Sequence, residues 1–113
     1  DDYVDNICTV GKLAGMPEVW VGDWMPAWPY MAGSKMRELA KKMYKERTGE
    51  DMRELAVHGG LELGVFSEKM PGMDIVTLGC TSGNEHTVTE WMDIDSYARV
   101  YQFMKDFIAE LCK

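Results

Sequence analysis

Along this 113-residue chain, four helical patterns of apolar residues alternate with three short runs of strand-forming residues. The helical patterns repeat apolar residues at three- and four-residue spacing. The runs predicted as strands are residues 18–21, 54–57 and 74–78. Strands that alternate with helices are typical of α/β proteins with a largely parallel sheet. We therefore predict an α/β fold.

The ends of the helices are marked by capping and breaking residues. The helices are predicted over residues 3–13, from Ser34 to Gly49, over about residues 61–69, and from Asp93 or Asp95 towards the end of the chain. The core face of the last helix is predicted to comprise Tyr97, Val100, Tyr101, Met104, Phe107, Ile108 and Leu111. Pro26 and Pro29 exclude a regular helix from the Trp-rich residues between the first two helices.

Composition excludes several classes of protein. With 46% apolar residues the chain can bury a core, and it has no apolar run near the ~20 residues that a membrane span needs. The formal net charge of −7 argues against a nucleic-acid binder. No signal segment is visible, and a chain that begins at Asp1 is expected to be a piece of a longer protein.

The second predicted helix is basic although the chain is acidic. Residues 35–48 carry six Lys or Arg and two Glu, which gives this helix a charge of +4. One interpretation is a helix that binds an acidic partner or a membrane surface. The other is a solvated face within an acidic protein, which we favour because the helix lacks large aromatic anchors.

Three cysteines, Cys8, Cys80 and Cys112, form neither a disulfide framework nor a CxxC metal motif. We therefore expect reduced thiols and a cytoplasmic protein.

Both histidines are predicted to lie beyond the carboxyl ends of strands, where sites gather in parallel sheets. His58 precedes Gly59 and Gly60, whose backbone would allow a ligand to approach closely and would favour anions. A tight structural turn is the alternative. His86 lies near Glu85 and Glu90, a setting suited to metal binding, although a surface loop would also account for it.

These motifs together resemble the C-terminal part of aminoacyl-histidine dipeptidases. These Xaa-His, carnosinase-like enzymes belong to a clan of zinc metallopeptidases. The resemblance rests on residues 56–64 (AVHGGLELG), on Pro71, Asp74 and Gly79, on residues 86–90 (HTVTE), and on residues 94–96 (IDS). Residues 25–28 (MPAW) resemble the family's Tyr-Pro-Gly-Trp, so the similarity covers nearly the whole chain.

The resemblance implies a fold, a site and a cofactor. Residues 1–24 would be the end of a lid or dimerisation domain, and residues 25–113 the C-terminal part of the catalytic domain, a partial three-layer α/β sandwich. His86 would be a zinc ligand, and the turn His58, Gly59 and Gly60 would bind the dipeptide substrate. The remaining ligands and the general base would come from an N-terminal half outside this sequence. Val88 stands where the family has proline.

Two functional hypotheses follow. The chain is either a piece of a zinc dipeptidase, inactive alone, or a stand-alone α/β interaction module derived from one. Under both hypotheses we expect self-association through an open sheet edge, and neither a nucleic-acid nor a membrane partner. The coding sequence upstream of Asp1 would distinguish them.

Overall fold

The computed structural model describes residues 2–57 and 59–113, which form four helices and two short strands. The elements are α1 (Asp2–Leu13), α2 (Lys35–Thr48), α3 (Leu63–Lys69), β1 (Ser82–Gly83), β2 (Trp91–Met92) and α4 (Ile94–Leu111). All four predicted helices are therefore confirmed, with α3 starting two residues later than expected.

Local caps explain where the two longest helices begin and end. The Ser34 Oγ accepts a hydrogen bond from the Arg37 backbone N–H at 2.9 Å, which caps α2. Gly49 ends α2 in the left-handed region, with φ of 77°. Asp93 caps α4 by accepting a bond from the Ser96 N–H at 3.0 Å. These caps use nearby residues, so the sequence predicts them well.

The core lies between α2 and α4. Its buried apolar side chains are Ala40 from α2 and Phe103 and Phe107 from α4, whose rings stack with centroids 6.4 Å apart. Val76 and Leu78 pack against this cluster from the segment before β1. The apolar face of α2 is therefore covered by α4 and by one predicted strand.

The sheet differs from the prediction. β1 and β2 pair antiparallel, with Ser82 opposite Met92 and Gly83 opposite Trp91. Within the described residues, the segments 18–21, 54–57 and 74–78 carry no strand pairing. A mixed α/β character is confirmed, but the described residues show neither the largely parallel sheet nor a three-layer sandwich. A strand requires a neighbouring strand to pair with, and in the part of the chain that the structure describes these segments have none.

The predicted core face of α4 is also largely wrong. Phe107 is buried as expected, together with Ser96 and Phe103, which the prediction missed. Val100 is half-buried, and the rest of the predicted face is exposed, namely Tyr97, Tyr101, Met104, Ile108 and Leu111. The helix turns its Phe103 and Phe107 side towards α2, which leaves the other apolar stripe without cover.

The molecule is extended for its length. Its radius of gyration is 19.1 Å, against about 13 Å for a compact domain of this size. Its accessible surface is 9600 Å², against about 6300 Å² for a folded monomer of this mass. Much apolar surface that a compact domain would bury is therefore open. None of the helices within residues 2–57 and 59–113 has both the length and the apolar character needed to cross a bilayer.

Candidate functional site

One concave surface is a groove of about 1850 Å³, called here the central groove. Its walls are the Trp- and Pro-rich residues 24–31, residues 50–57 and 59–61, residues 75–79, and the N-terminal half of α4. Two of the three predicted strands therefore face the same space. The groove brings together segments far apart in the sequence.

Close backbone contacts hold one wall of the central groove together. Gly64 in α3 is buried, and a Cβ atom there would overlap the carbonyl oxygen of Pro26. A Cβ at Gly60 would likewise overlap the sulfur of Met25. Glycine at these two positions lets residues 60–64 approach the Trp-rich segment closely.

The predicted substrate-binding turn lies partly in this groove. Gly59 and Gly60 line it and are exposed. His58, the third member of the turn, lies outside the described residues. The substrate-binding role of His58, Gly59 and Gly60 stays a prediction, with the two glycines placed where a ligand could reach their backbone.

His86 lies elsewhere, in the loop that joins β1 to β2. Its backbone adopts the left-handed region with φ of 64°, as does that of Asn84 with φ of 57°. The His86 N–H donates to a Glu90 carboxylate oxygen at 3.3 Å, and the Thr87 N–H donates to the Asn84 carbonyl at 3.1 Å. His86 is exposed and is not among the residues lining the central groove. The two predicted site regions therefore do not share a pocket here.

The Glu85 side chain, next to His86 in sequence, is stabilised in its ionised form. The Ser82 hydroxyl donates to Glu85 at 2.6 Å. This bond, helped by the backbone N–H of Glu85 and the nearby His86, lowers the pKa of Glu85 below its usual value. The loop thus presents an imidazole next to an ionised carboxylate, both accessible from solvent.

These donors do not complete a metal site. No cluster of three or more His, Cys, Asp or Glu side chains in metal-binding proximity occurs among residues 2–57 and 59–113. Structural and catalytic zinc sites use at least three protein ligands. A metal ion at His86 would therefore need ligands from outside the described part of the chain. Cys8, Cys80 and Cys112 are free thiols.

Asp74 has a structural role that the sequence analysis missed. Its carboxylate accepts a hydrogen bond from the Ser34 hydroxyl at 2.6 Å and another from the Met36 N–H at 2.9 Å. Partial burial opposes ionisation, but these bonds outweigh it and lower the pKa of Asp74. Asp74 thereby fixes residues 74–79 to the N-terminus of α2. The only signal in the sequence was that Asp74, with Pro71 and Gly79, is one of the residues on which the family resemblance rests.

The basic face of α2 is paired with acidic residues of the same chain. Glu54 contacts Lys41 at 2.6 Å and Arg37 at 3.3 Å. The Arg37 guanidinium also stacks over Tyr30, 4.3 Å from the ring centroid. These contacts join residues 30 and 54 to α2 and neutralise part of its charge.

Comparison with known proteins places the chain in a family. Residues 18–110 match the family model described as peptidase family M20/M25/M40. The chain belongs to peptidase family M20/M25/M40. The match contains the central groove, the Gly59 and Gly60 turn and the His86 loop, so the resemblance to metallopeptidases is confirmed at the level of the family. Peptidases of this family are generally metal-dependent.

A curated relative supports the same assignment. The chain is 29% identical over 111 residues to the cytosol non-specific dipeptidase of Escherichia coli (strain K12). The alignment covers 97% of this chain but only 23% of the relative, so the chain spans about a quarter of that protein's length. No solved structure was found to match.

Proposed function

We propose that this chain is the C-terminal part of the catalytic domain of a zinc-dependent dipeptidase that hydrolyses Xaa-His-type dipeptides. The observation that carries the proposal is the family match over residues 18–110, which includes both candidate site regions. The dipeptidase relative, aligned over nearly the whole chain, supports it. In this proposal residues 25–113 belong to the catalytic domain, a three-layer α/β sandwich when complete, and residues 1–24 end the lid or dimerisation domain.

Two regions of the chain serve different roles in this proposal. The turn of His58, Gly59 and Gly60 binds the dipeptide, since its glycines are exposed on the wall of the central groove. His86 is a zinc ligand, held by a loop with several internal hydrogen bonds and flanked by the ionised Glu85. The other ligands and the general base are contributed by parts of the enzyme outside this chain.

The metal-binding role is tested by His86→Ala in the complete enzyme, with Val88→Ala as the matched control. Both residues are exposed in the same loop, and Val88 has no donor atom in its side chain. We expect His86→Ala to lower the amount of bound zinc and to remove most of the hydrolysis of Xaa-His dipeptides. Val88→Ala should keep both. Full zinc content with normal turnover in His86→Ala would exclude His86 as a ligand.

The chain alone should not hydrolyse dipeptides, because its described residues hold no complete set of metal ligands. A turnover assay of the pure 113-residue protein with Xaa-His dipeptides and added zinc checks this. Metal-dependent hydrolysis by the pure chain would contradict this expectation.

Substrate choice is checked in the complete enzyme by comparing the hydrolysis of Xaa-His dipeptides with that of dipeptides that lack histidine.

The location and the partners complete the proposal. A cytoplasmic location is supported by the printed name of the relative, a cytosolic enzyme. Self-association of the isolated chain is supported by its large open apolar surface. The comparisons do not favour the alternative of a stand-alone interaction module.

A further inference from the structure

The Met25 side chain lies against one of the two glycines that line the central groove. Its sulfur occupies the place where a Gly60 side chain would begin, so a Cβ atom at Gly60 would overlap it. At Gly59 a Cβ atom would meet nothing within 4 Å. The two glycines therefore differ, since the backbone of Gly59 is open and that of Gly60 is packed against a thioether.

The residue after Met25 is packed just as closely. A Cβ atom at Gly64 would overlap the carbonyl oxygen of Pro26. Two successive residues, Met25 and Pro26, are thus seated directly on the backbone of residues 60–64. An extra atom on the Gly60 side of the Met25 sulfur would have to push these two segments apart, because closely packed groups do not accept added volume without a shift.

The same side chain is accessible from solvent. Met25 is 53% exposed and lines the central groove. Three other methionines line the groove, of which Met31 and Met52 are half-buried and Met73 is exposed. The three atoms nearest to a Cβ at Gly60 all belong to Met25. Oxidation of an exposed thioether gives a sulfoxide, which is polar and chiral and disrupts the apolar contacts of methionine.

We infer that Met25 is a site of reversible oxidation by peroxides, and that its sulfoxide displaces the Gly59 and Gly60 backbone and weakens the binding of the dipeptide. The displacement follows from the contact between the Met25 sulfur and Gly60. The effect on dipeptide binding rests on the proposed function, in which these two glycines belong to the substrate-binding turn.

The oxidation needs only a peroxide. The thioether sulfur attacks one oxygen of hydrogen peroxide, the O–O bond breaks, and an S–O bond forms. The proton on the transferred oxygen moves to the other oxygen, which leaves as water. The sulfur is oxidised and the peroxide is reduced by one electron pair. Methionine sulfoxide reductases return the sulfoxide to the thioether, so the modification is reversible.

The oxidation site is tested on the pure 113-residue chain. Hydrogen peroxide treatment is followed by dithiothreitol, which returns reversibly oxidised cysteines to thiols and leaves methionine sulfoxide in place. We expect peptide mass spectrometry to find the sulfoxide at Met25, and amide NMR to show a shifted Gly60 resonance. In Met25→Leu, a swap that keeps the side-chain volume, the Gly60 resonance should not move on treatment. A Gly60 resonance that moves in both proteins, or in neither, would overturn the inference.

The effect on binding is tested in the complete enzyme, with each protein compared with its own untreated sample. Met73→Leu is the matched control, because Met73 is an exposed methionine of the same groove. Oxidation should raise the KM for the dipeptide about fivefold in the wild type and in Met73→Leu, with kcat within about twofold. Met25→Leu should keep its KM, and methionine sulfoxide reductase should restore that of the wild type. Equal sensitivity of Met25→Leu and Met73→Leu would also overturn the inference.

These experiments are separate from the test of the proposed function. A complete enzyme that hydrolyses no dipeptide would refute the dipeptidase, and a Gly60 resonance that moves only when Met25 is oxidised would still uphold the oxidation site. A complete enzyme that hydrolyses dipeptides with the same KM before and after oxidation of Met25 would do the reverse.

Discussion

The α2–α4 pair and the walls of the central groove differ in how they are stabilised. Each helix satisfies its backbone internally and ends in caps from neighbouring residues, and the pair buries Phe103 and Phe107 between them. Residues 54–57 and 75–79 have apolar side chains suited to a sheet, but they have no backbone partner among the described residues. The comparison shows which structure the described residues form by themselves: helices form from local interactions, and a sheet requires neighbouring strands.

The largest loss of stability is expected from a substitution in the α2–α4 pair. Phe107→Ala removes a ring that is 3% exposed, and should lower the free energy of unfolding by about 3–5 kcal/mol. Because the core is small, this loss should also reduce the helical signal by circular dichroism. Tyr101→Ala on the same helix removes a ring that is 61% exposed, and should change stability by about 0.5 kcal/mol or less. Equal losses would show that both faces of α4 are buried.

A smaller loss of stability is expected from a substitution where α3 contacts the Trp-rich segment. Gly64→Ala places a methyl group against the Pro26 carbonyl, and should destabilise the chain by about 1–3 kcal/mol through overpacking. At Gly33 a Cβ atom meets nothing within 4 Å, so Gly33→Ala is the control. Thermal unfolding of both variants measures the difference. Equal melting temperatures would mean that residues 60–64 do not pack against Pro26.

How far the sequence could predict this molecule follows from the same contrast. The helices were predictable because Ser34, Gly49 and Asp93 act within a few residues of themselves. The exposure of the apolar stripe of α4 was not predictable, because an apolar pattern in the sequence shows which face is apolar but does not show what packs against that face. The His86 loop was found through its motif. The role of Asp74 was missed because its partners, Ser34 and Met36, lie about 40 residues away in sequence.

A still smaller loss of stability, with a defined pH dependence, is expected at Asp74, which links residues 74–79 to the start of α2. Asp74→Asn weakens the two hydrogen bonds to the start of α2 and should cost about 1–2 kcal/mol at neutral pH. The folded pKa of Asp74 is lowered. Its stabilisation is therefore complete above the unfolded value of about 3.9 and is lost as pH falls through the lower folded pKa.

Urea unfolding between pH 2 and 7 checks this link. The difference between the wild-type chain and Asp74→Asn should shrink as pH falls below about 4. Asp23→Asn is the control, since Asp23 is exposed and makes no hydrogen bond or ion pair among residues 2–57 and 59–113. A difference that stayed constant down to pH 2 would exclude the Asp74 charge as its cause.

The contrast between the helix pair and the groove walls is tested most directly by amide hydrogen exchange of the pure chain, followed residue by residue. The account predicts slow exchange at Phe103 and Phe107, whose amides lie inside α4. It predicts fast exchange at residues 75–79, whose amides have no hydrogen-bond partner within residues 2–57 and 59–113. Exchange at residues 75–79 as slow as at Phe107 would show that this segment is already paired, and would contradict the account.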